Sequence, residues 1–184
     1  MTNNHKENSR LTIENAKALV IDSIAETMDL YGVTRSAGAL YGTMYFEEDM
    51  TLDEMREMLG MSKPSMSTGV KKLRNYHIVK RNFRKGTRRQ TFVAEKDFFT
   101  FFSSFFTKKW LREAKINLDA IQQSQNELND LIEDSKTEKN LKKEAEQIFQ
   151  HLEASKPYYY WLQKLVNSIE SEEIFDFLPV DHKT

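Results

Sequence analysis

Apolar side chains recur every three or four residues from Ile13 through Ala16, Val20, Ile24 and Met28 to Tyr31, the spacing that lays one stripe along an α-helix. Gly32 marks its end. A second helix is predicted from Thr34, placed to cap it, through Ala37, Leu40, Tyr41, Met44 and Tyr45, and Gly38 and Gly42 leave room for another helix to approach closely. Thr51-Leu-Asp-Glu54 has the form of a capping box, in which the hydroxyl serves an unpaired backbone N–H and the carboxylate reaches back to the cap. A short third helix with Met55, Met58 and Leu59 follows. After the Gly60-Met61 turn, Ser62 is placed to cap a fourth helix, with Pro64 in the first turn where its missing N–H costs nothing.

The fourth helix is two-faced. Met66, Val70 and Leu73 share one side, with Gly69 beside them to admit the third helix. Pro64, Thr68, Lys71 and Asn75 line the other side, with Ser65, Ser67 and Lys72 on its flanks, and short hydroxyls and amines on a free face suit a DNA groove. The period then falls to two. Ile78, Lys80 and Asn82 alternate with Val79, Arg81 and Phe83, Arg84-Lys85-Gly86-Thr87 forms a tip, and Arg88 to Val93 returns, which predicts a two-stranded ribbon with a basic tip.

From about Lys96 a long helix is predicted. Its first part holds six Phe in the nine positions from Phe98 to Phe106, more than one face can bury. Its second part places Leu111, Ala114, Leu118, Ile121, Gln125, Leu128 and Ile132 at alternating spacings of three and four, a heptad seam that suggests helix pairing with Gln125 as a polar break. Ser135-Lys-Thr-Glu138 offers a second capping box before a helix with Leu141, Ala145, Ile148 and Leu152, and Pro157 is read as the start of a last helix carrying Tyr158, Trp161, Leu162, Leu165 and Ile169. An acidic tail runs from Ser171.

Composition narrows the function. Apolar residues make up 39% and charged ones 30% of the 184, with 6 Gly and 3 Pro, which excludes disorder and a membrane span. The polar start, MTNNHKENSR, carries no signal peptide, so a cytoplasmic location is expected. Cysteine is absent, which removes disulfides, thiol nucleophiles and thiolate metal sites. The four His are scattered without partners at ligand spacing, and no glycine-rich phosphate loop or nucleophile elbow occurs, so neither catalysis nor a cofactor nor a metal is expected. The net charge of −1 conceals a segregation: Met58 to Ala94 carries ten basic residues and no acid, leaving 17 basic and 28 acidic residues elsewhere. A basic module on an acidic body calls for an anionic polymer.

Capped helices, a polar-faced helix and a basic ribbon, in that order, spell a winged helix-turn-helix. Within it, Glu-Thr-Met-Asp-Leu-Tyr-Gly-Val-Thr from Glu26, Leu-Tyr-Gly-Thr-Met-Tyr from Leu40, Met-Ser-Lys-Pro-Ser-Met-Ser-Thr-Gly-Val-Lys-Lys-Leu from Met61 and Arg-Lys-Gly-Thr-Arg-Arg-Gln from Arg84 resemble the MarR-related repressors of the GbsR type. That group is known for choline-responsive control of glycine betaine synthesis and osmoprotectant uptake. The resemblance implies a homodimeric repressor on double-stranded operator DNA.

The expected fold class is therefore mainly α: a winged helix-turn-helix with a two-stranded β-wing over 13–94, long helices for dimerisation and ligand sensing over 95–170, and the tail at 171–184. Ser62 and Lys63 would anchor phosphates, Ser65, Ser67, Thr68 and Lys71 would face base edges with Lys72 beside them, and Arg84, Lys85, Arg88 and Arg89 would hold the flanking backbone or minor groove. The aromatic clusters have two readings, core and dimer packing or a cage for the choline that the resemblance supplies, since a quaternary ammonium is held by aromatic faces. Cage candidates are Phe102, Phe106, Trp110, Tyr159 and Trp161, with Tyr41 and Tyr45 from the second helix. A reading of another class is a helical scaffold or adaptor whose basic patch meets an acidic protein; a nuclease is a more distant one.

Overall fold

Helix α1 (Thr2–Leu30) begins well before the periodic stretch, because the polar residues ahead of Ile13 include no Gly or Pro to break it. The computed structural model describes residues 2–83 and 89–180, and the chain divides into two compact units, residues 1–104 and 105–184. In the first unit only the C-terminal part of α1 is covered: Ala25 and Met28 are buried, whereas Ile13 and Val20 of the expected stripe are exposed. Gly32, in the left-handed region at φ +76°, ends the helix, and the Val33 N–H returns to the Met28 carbonyl at 2.9 Å.

Helix α2 (Arg35–Phe46) packs on α1 through the two predicted glycines. A Cβ on Gly38 would lie 2.7 Å from the Ala25 Cα, and one on Gly42 3.1 Å from the Ile21 Cα. Thr34 precedes α2 but its side chain makes no capping bond; its oxygen accepts instead from the Ser36 hydroxyl at 3.3 Å. Helix α3 (Leu52–Leu59) has the predicted capping box, with Glu54 N–H to Thr51 Oγ1 at 3.2 Å and Thr51 N–H to Glu54 Oε2 at 2.7 Å. Helix α4 (Lys63–Asn75) buries Met66, Val70 and Leu73, each contributing about 1.5–3 kcal/mol. Gly69 admits α2 and not α3: a Cβ there would meet Leu40 Cδ2 at 3.0 Å and Ala37 Cβ at 4.0 Å. The helical rotation from Met66 turns position 69 toward that neighbour.

Strands β1 (Val79–Phe83) and β2 (Gln90–Ala94) pair antiparallel with Val79 opposite Ala94 and Phe83 opposite Gln90. Met50 adds an isolated bridge to Phe92, through reciprocal backbone bonds of 3.0 and 2.8 Å, which ties the segment before α3 to the wing. The predicted tip, Arg84-Lys85-Gly86-Thr87, and Arg88 lie outside the described residues. Helix α5 (Phe98–Glu133) starts two residues later than predicted, where Asp97 accepts from the N–H groups of Phe99 at 3.0 Å and Thr100 at 3.4 Å.

In the second unit α5 runs antiparallel to α6 (Lys139–Glu170), followed by the short α7 (Glu173–Phe177). The bonds between the long helices set the register: Lys142 Nζ donates to the Ile132 carbonyl at 2.6 Å, the Gln125 amide to Glu153 Oε2 at 3.0 Å, and the Tyr158 hydroxyl to Glu113 at 3.3 Å. The polar break of the heptad seam thus has its partner in the same chain. A buried amide requires such a partner, and Gln125 is buried together with Ala114 and Ile121, while Leu111 of the seam is exposed. Glu153 is held below the usual carboxylate range by Lys156, 2.6 Å away, and then by Gln125.

Two boundaries predicted for this region do not form. Glu138 precedes α6 without a side-chain capping bond, so Ser135 to Glu138 is no capping box; Asp134 instead accepts from the Lys136 N–H at 2.9 Å and closes the turn. Pro157 lies inside α6, which continues through it, because the buried positions Ala145, Leu162, Val166 and Ile169 on either side outweigh one lost backbone bond. Pro157→Ala restores that donor and should stabilise the protein by about 1–3 kcal/mol in urea denaturation. A lower midpoint would show that the packing requires the proline geometry.

Candidate nucleic-acid interface

The N-terminal turn of α4 is built from hydroxyls that serve one another. Ser62 Oγ accepts from the Ser65 N–H at 3.4 Å and shares a hydrogen bond of 2.9 Å with the Ser65 hydroxyl. Around this turn Ser62, Lys63, Ser65, Ser67, Thr68 and Lys71 are exposed, so the face predicted from spacing is free of the protein core. Lys63 reaches Asp53 of α3 at 3.4 Å with both side chains exposed, a weak pair that a phosphate can replace. Lys72 departs from the set: it is half-buried, and its ammonium donates to the Gly32 carbonyl at 3.1 Å.

Beside this face lies a groove of about 450 Å³, walled by Pro64, Ser65, Thr68 and Lys72 on α4 and by Thr34 and Ser36 before and within α2. Spacing alone did not reveal the α2 wall, because those residues are distant in sequence from α4. On the ribbon, Arg81 and Arg89 are exposed, and Lys80 pairs with Glu95 at 3.3 Å. Arg84, Lys85 and Arg88, the remaining predicted backbone contacts, lie outside the described residues.

The aromatic candidates fall into separate groups. Tyr41 is fully buried, packs on Phe101 at 5.2 Å between centroids and gives its hydroxyl to the Glu95 carbonyl at 2.5 Å. Burial pushes its pKa up, with Glu95 adding to the effect. It has no free face for a ligand and belongs to the core of the winged unit. Tyr45 stacks on Phe98 at 5.2 Å, and Phe102 is half-buried.

In the second unit Phe106 and Trp110 pack at 5.3 Å on α5. On α6, Tyr158 meets Tyr159 edge-on at 5.1 Å and stacks with Trp161 at 6.4 Å. Trp161 is 56% exposed. Sequence reading missed Glu113, whose carboxylate reaches this group through Tyr158 and raises the Tyr158 pKa; only the hairpin register brings it there.

Comparison with known proteins bears on these two sites together. Residues 98–176 match the family model described as the GbsR family transcriptional regulator, C-terminal helical hairpin. The HTH-type transcriptional repressor GbsR of Bacillus subtilis (strain 168) is 57% identical over 171 residues, which cover 93% of this chain and 95% of that protein. This chain belongs to the GbsR family of transcriptional regulators. The HTH-type transcriptional repressor OpcR of the same organism is 32% identical over 168 residues, 91% of each protein. A crystal structure of a transcriptional regulator, 16% identical, superposes with a TM-score of 0.65 over 86% of this chain and 98% of that one, which shows the shared fold. In this GbsR-family chain that fold is a winged helix-turn-helix, with α3 and α4 as the helix-turn-helix and β1–β2 as the wing, followed by long helices. It is a DNA-binding transcriptional repressor by family. Among the described residues no helix is long and apolar enough to cross a membrane, and no carboxylate and histidine group could hold a metal.

Proposed function

We propose that this protein works in the cytoplasm as a homodimer that represses transcription from operator DNA in response to choline or a close quaternary ammonium, controlling genes for osmoprotectant (glycine betaine) synthesis or uptake. The observation that carries the DNA part is the exposed hydroxyl and amine face of α4 over a buried Met66-Val70-Leu73 stripe. Ser65, Ser67, Thr68 and Lys71 read base edges, Ser62 and Lys63 hold phosphates, and Arg89 with the wing tip grips the flanking backbone. A gel shift with genomic fragments tests it: selection of one fragment over scrambled DNA supports the reading, and uniform affinity opposes it.

Pairing of two copies is supported by Leu131, Leu141 and Ile148, which stay exposed on the long helices of a single chain. The effector reading is supported by chemistry on the second unit. A quaternary ammonium offers no hydrogen-bond donor at nitrogen and is held by aromatic faces and a carboxylate; the exposed Trp161, the stacked Tyr158 and Glu113 behind it offer both. Trp161→Ala should weaken choline binding about tenfold in calorimetry, the loss of one desolvated aromatic contact of about 2 kcal/mol or somewhat less. Undiminished binding would move the cage to other aromatic residues, and unchanged operator affinity at saturating choline would remove choline as the effector.

A further inference from the structure

We infer that Lys72 is a positioning residue that fixes the recognition helix against the end of α1, and not a contact to the DNA backbone. This rests on the reading of α4 as the DNA-facing helix. Lys72 is flanked by exposed cations and by spacing alone belongs with them, but its ammonium donates to the Gly32 carbonyl 3.1 Å away, 40 residues back in the chain. Gly32 is the left-handed residue that terminates α1, at φ +76°, and the carbonyls near it form the negative end of that helix. An ammonium at this position satisfies an oxygen that α1 itself cannot bond and is drawn to the same helix end. Lys72 thereby makes a polar tie between α4 and the turn joining α1 to α2.

The neighbouring packing explains why such a tie matters. At Gly69, one turn before, α4 touches Leu40 of α2 so closely that a Cβ would lie 3.0 Å from it. The same Gly69 and Leu40 line the 450 Å³ groove between the two helices, and Lys72 forms part of its wall. An apolar contact is non-directional and sets a distance, whereas a charged hydrogen bond to a single carbonyl also sets rotation about the α4 axis. Rotation decides whether Ser65, Thr68 and Lys71 meet base edges. The lysine therefore acts on sequence discrimination and leaves the number of phosphates neutralised unchanged.

The test uses the full-length protein, the genomic fragment it binds most tightly and a scrambled fragment of equal length, with affinities measured across a range of salt concentrations. Lys72→Met should lower the preference for the selected fragment about tenfold, while binding to scrambled DNA and the salt slope stay as in wild type. Lys72→Arg, which keeps a cationic donor, should restore the preference. Thermal unfolding of each variant separates a local change from loss of fold, and Lys72→Gln, uncharged but polar, serves if the Met variant does not fold. A salt slope reduced by about 0.9 with equal loss on both fragments would overturn the inference, since that marks a lost phosphate contact. So would an unchanged preference in every variant. If wild type selects no fragment at all, the DNA reading itself fails, an outcome distinct from both.

Discussion

Raising salt from about 50 to about 200 mM should weaken operator binding several-hundred-fold, the largest change expected for this protein. Lys63, Arg74, Arg81 and Arg89 are exposed along α4 and the wing, and the tip sequence supplies a further cation in Arg84 or Lys85. Each phosphate neutralised releases counterions and adds about −0.9 to the slope of log affinity against log salt, so five contacts give a slope of about −4.5. The acidic remainder of the chain does not cancel this, because at these ionic strengths charges more than about 10 Å away are screened. Competition titrations by fluorescence anisotropy read the slope directly. A slope near zero would exclude DNA binding through this face, and a slope shallower than −2 would confine it to one or two cations.

Gly38→Ala should destabilise the winged unit by about 1 kcal/mol despite placing a better helix former in α2. The propensity gain is about 1 kcal/mol. Against it, the new Cβ would lie 2.7 Å from the Ala25 Cα, 3.1 Å from the Ala25 oxygen and 3.2 Å from the Met28 Cβ. Two of those three atoms are backbone, so relief requires α1 to shift as a body, and Ala25 and Met28 are the positions through which α1 joins the core. Overpacking of this kind costs about 1–3 kcal/mol, occasionally more. Gly42→Ala provides the comparison: its nearest atoms are the Ile21 Cα at 3.1 Å and Cγ2 at 3.3 Å, one of which can turn away. Urea denaturation should rank Gly38→Ala well below Gly42→Ala and wild type. Equal midpoints for the two variants would show that α1 yields freely along its whole contact with α2.

Much of the winged unit was legible because its signals are local. The Thr51 capping box, the Ser62 cap with Pro64 behind it, the two faces of α4 and the change of period at Ile78 each involve residues within one or two turns of one another, and short-range sterics and hydrogen bonding act at that distance. The exclusion of acids from Met58 to Ala94 is a property of the sequence alone, whatever the fold. Where local signals conflicted with packing, packing prevailed. Pro157 reads as a helix start, yet α6 passes through it; the heptad run to Ile132 reads as helix pairing without naming the partner helix, and the structure gives its polar break, Gln125, a partner in Glu153 of the same chain.

The sequence by itself determined the elements of the winged unit, the basic module and the chemical character of the α4 face, since each follows from neighbours along the chain. Only the tertiary structure decided that Gly69 faces α2, that Tyr41 is closed inside the core, that Glu113 stands behind the exposed aromatics and that Lys72 is tied to the end of α1. Those partners lie tens of residues apart, and periodicity specifies which side of a helix a residue occupies but not which other element covers that side.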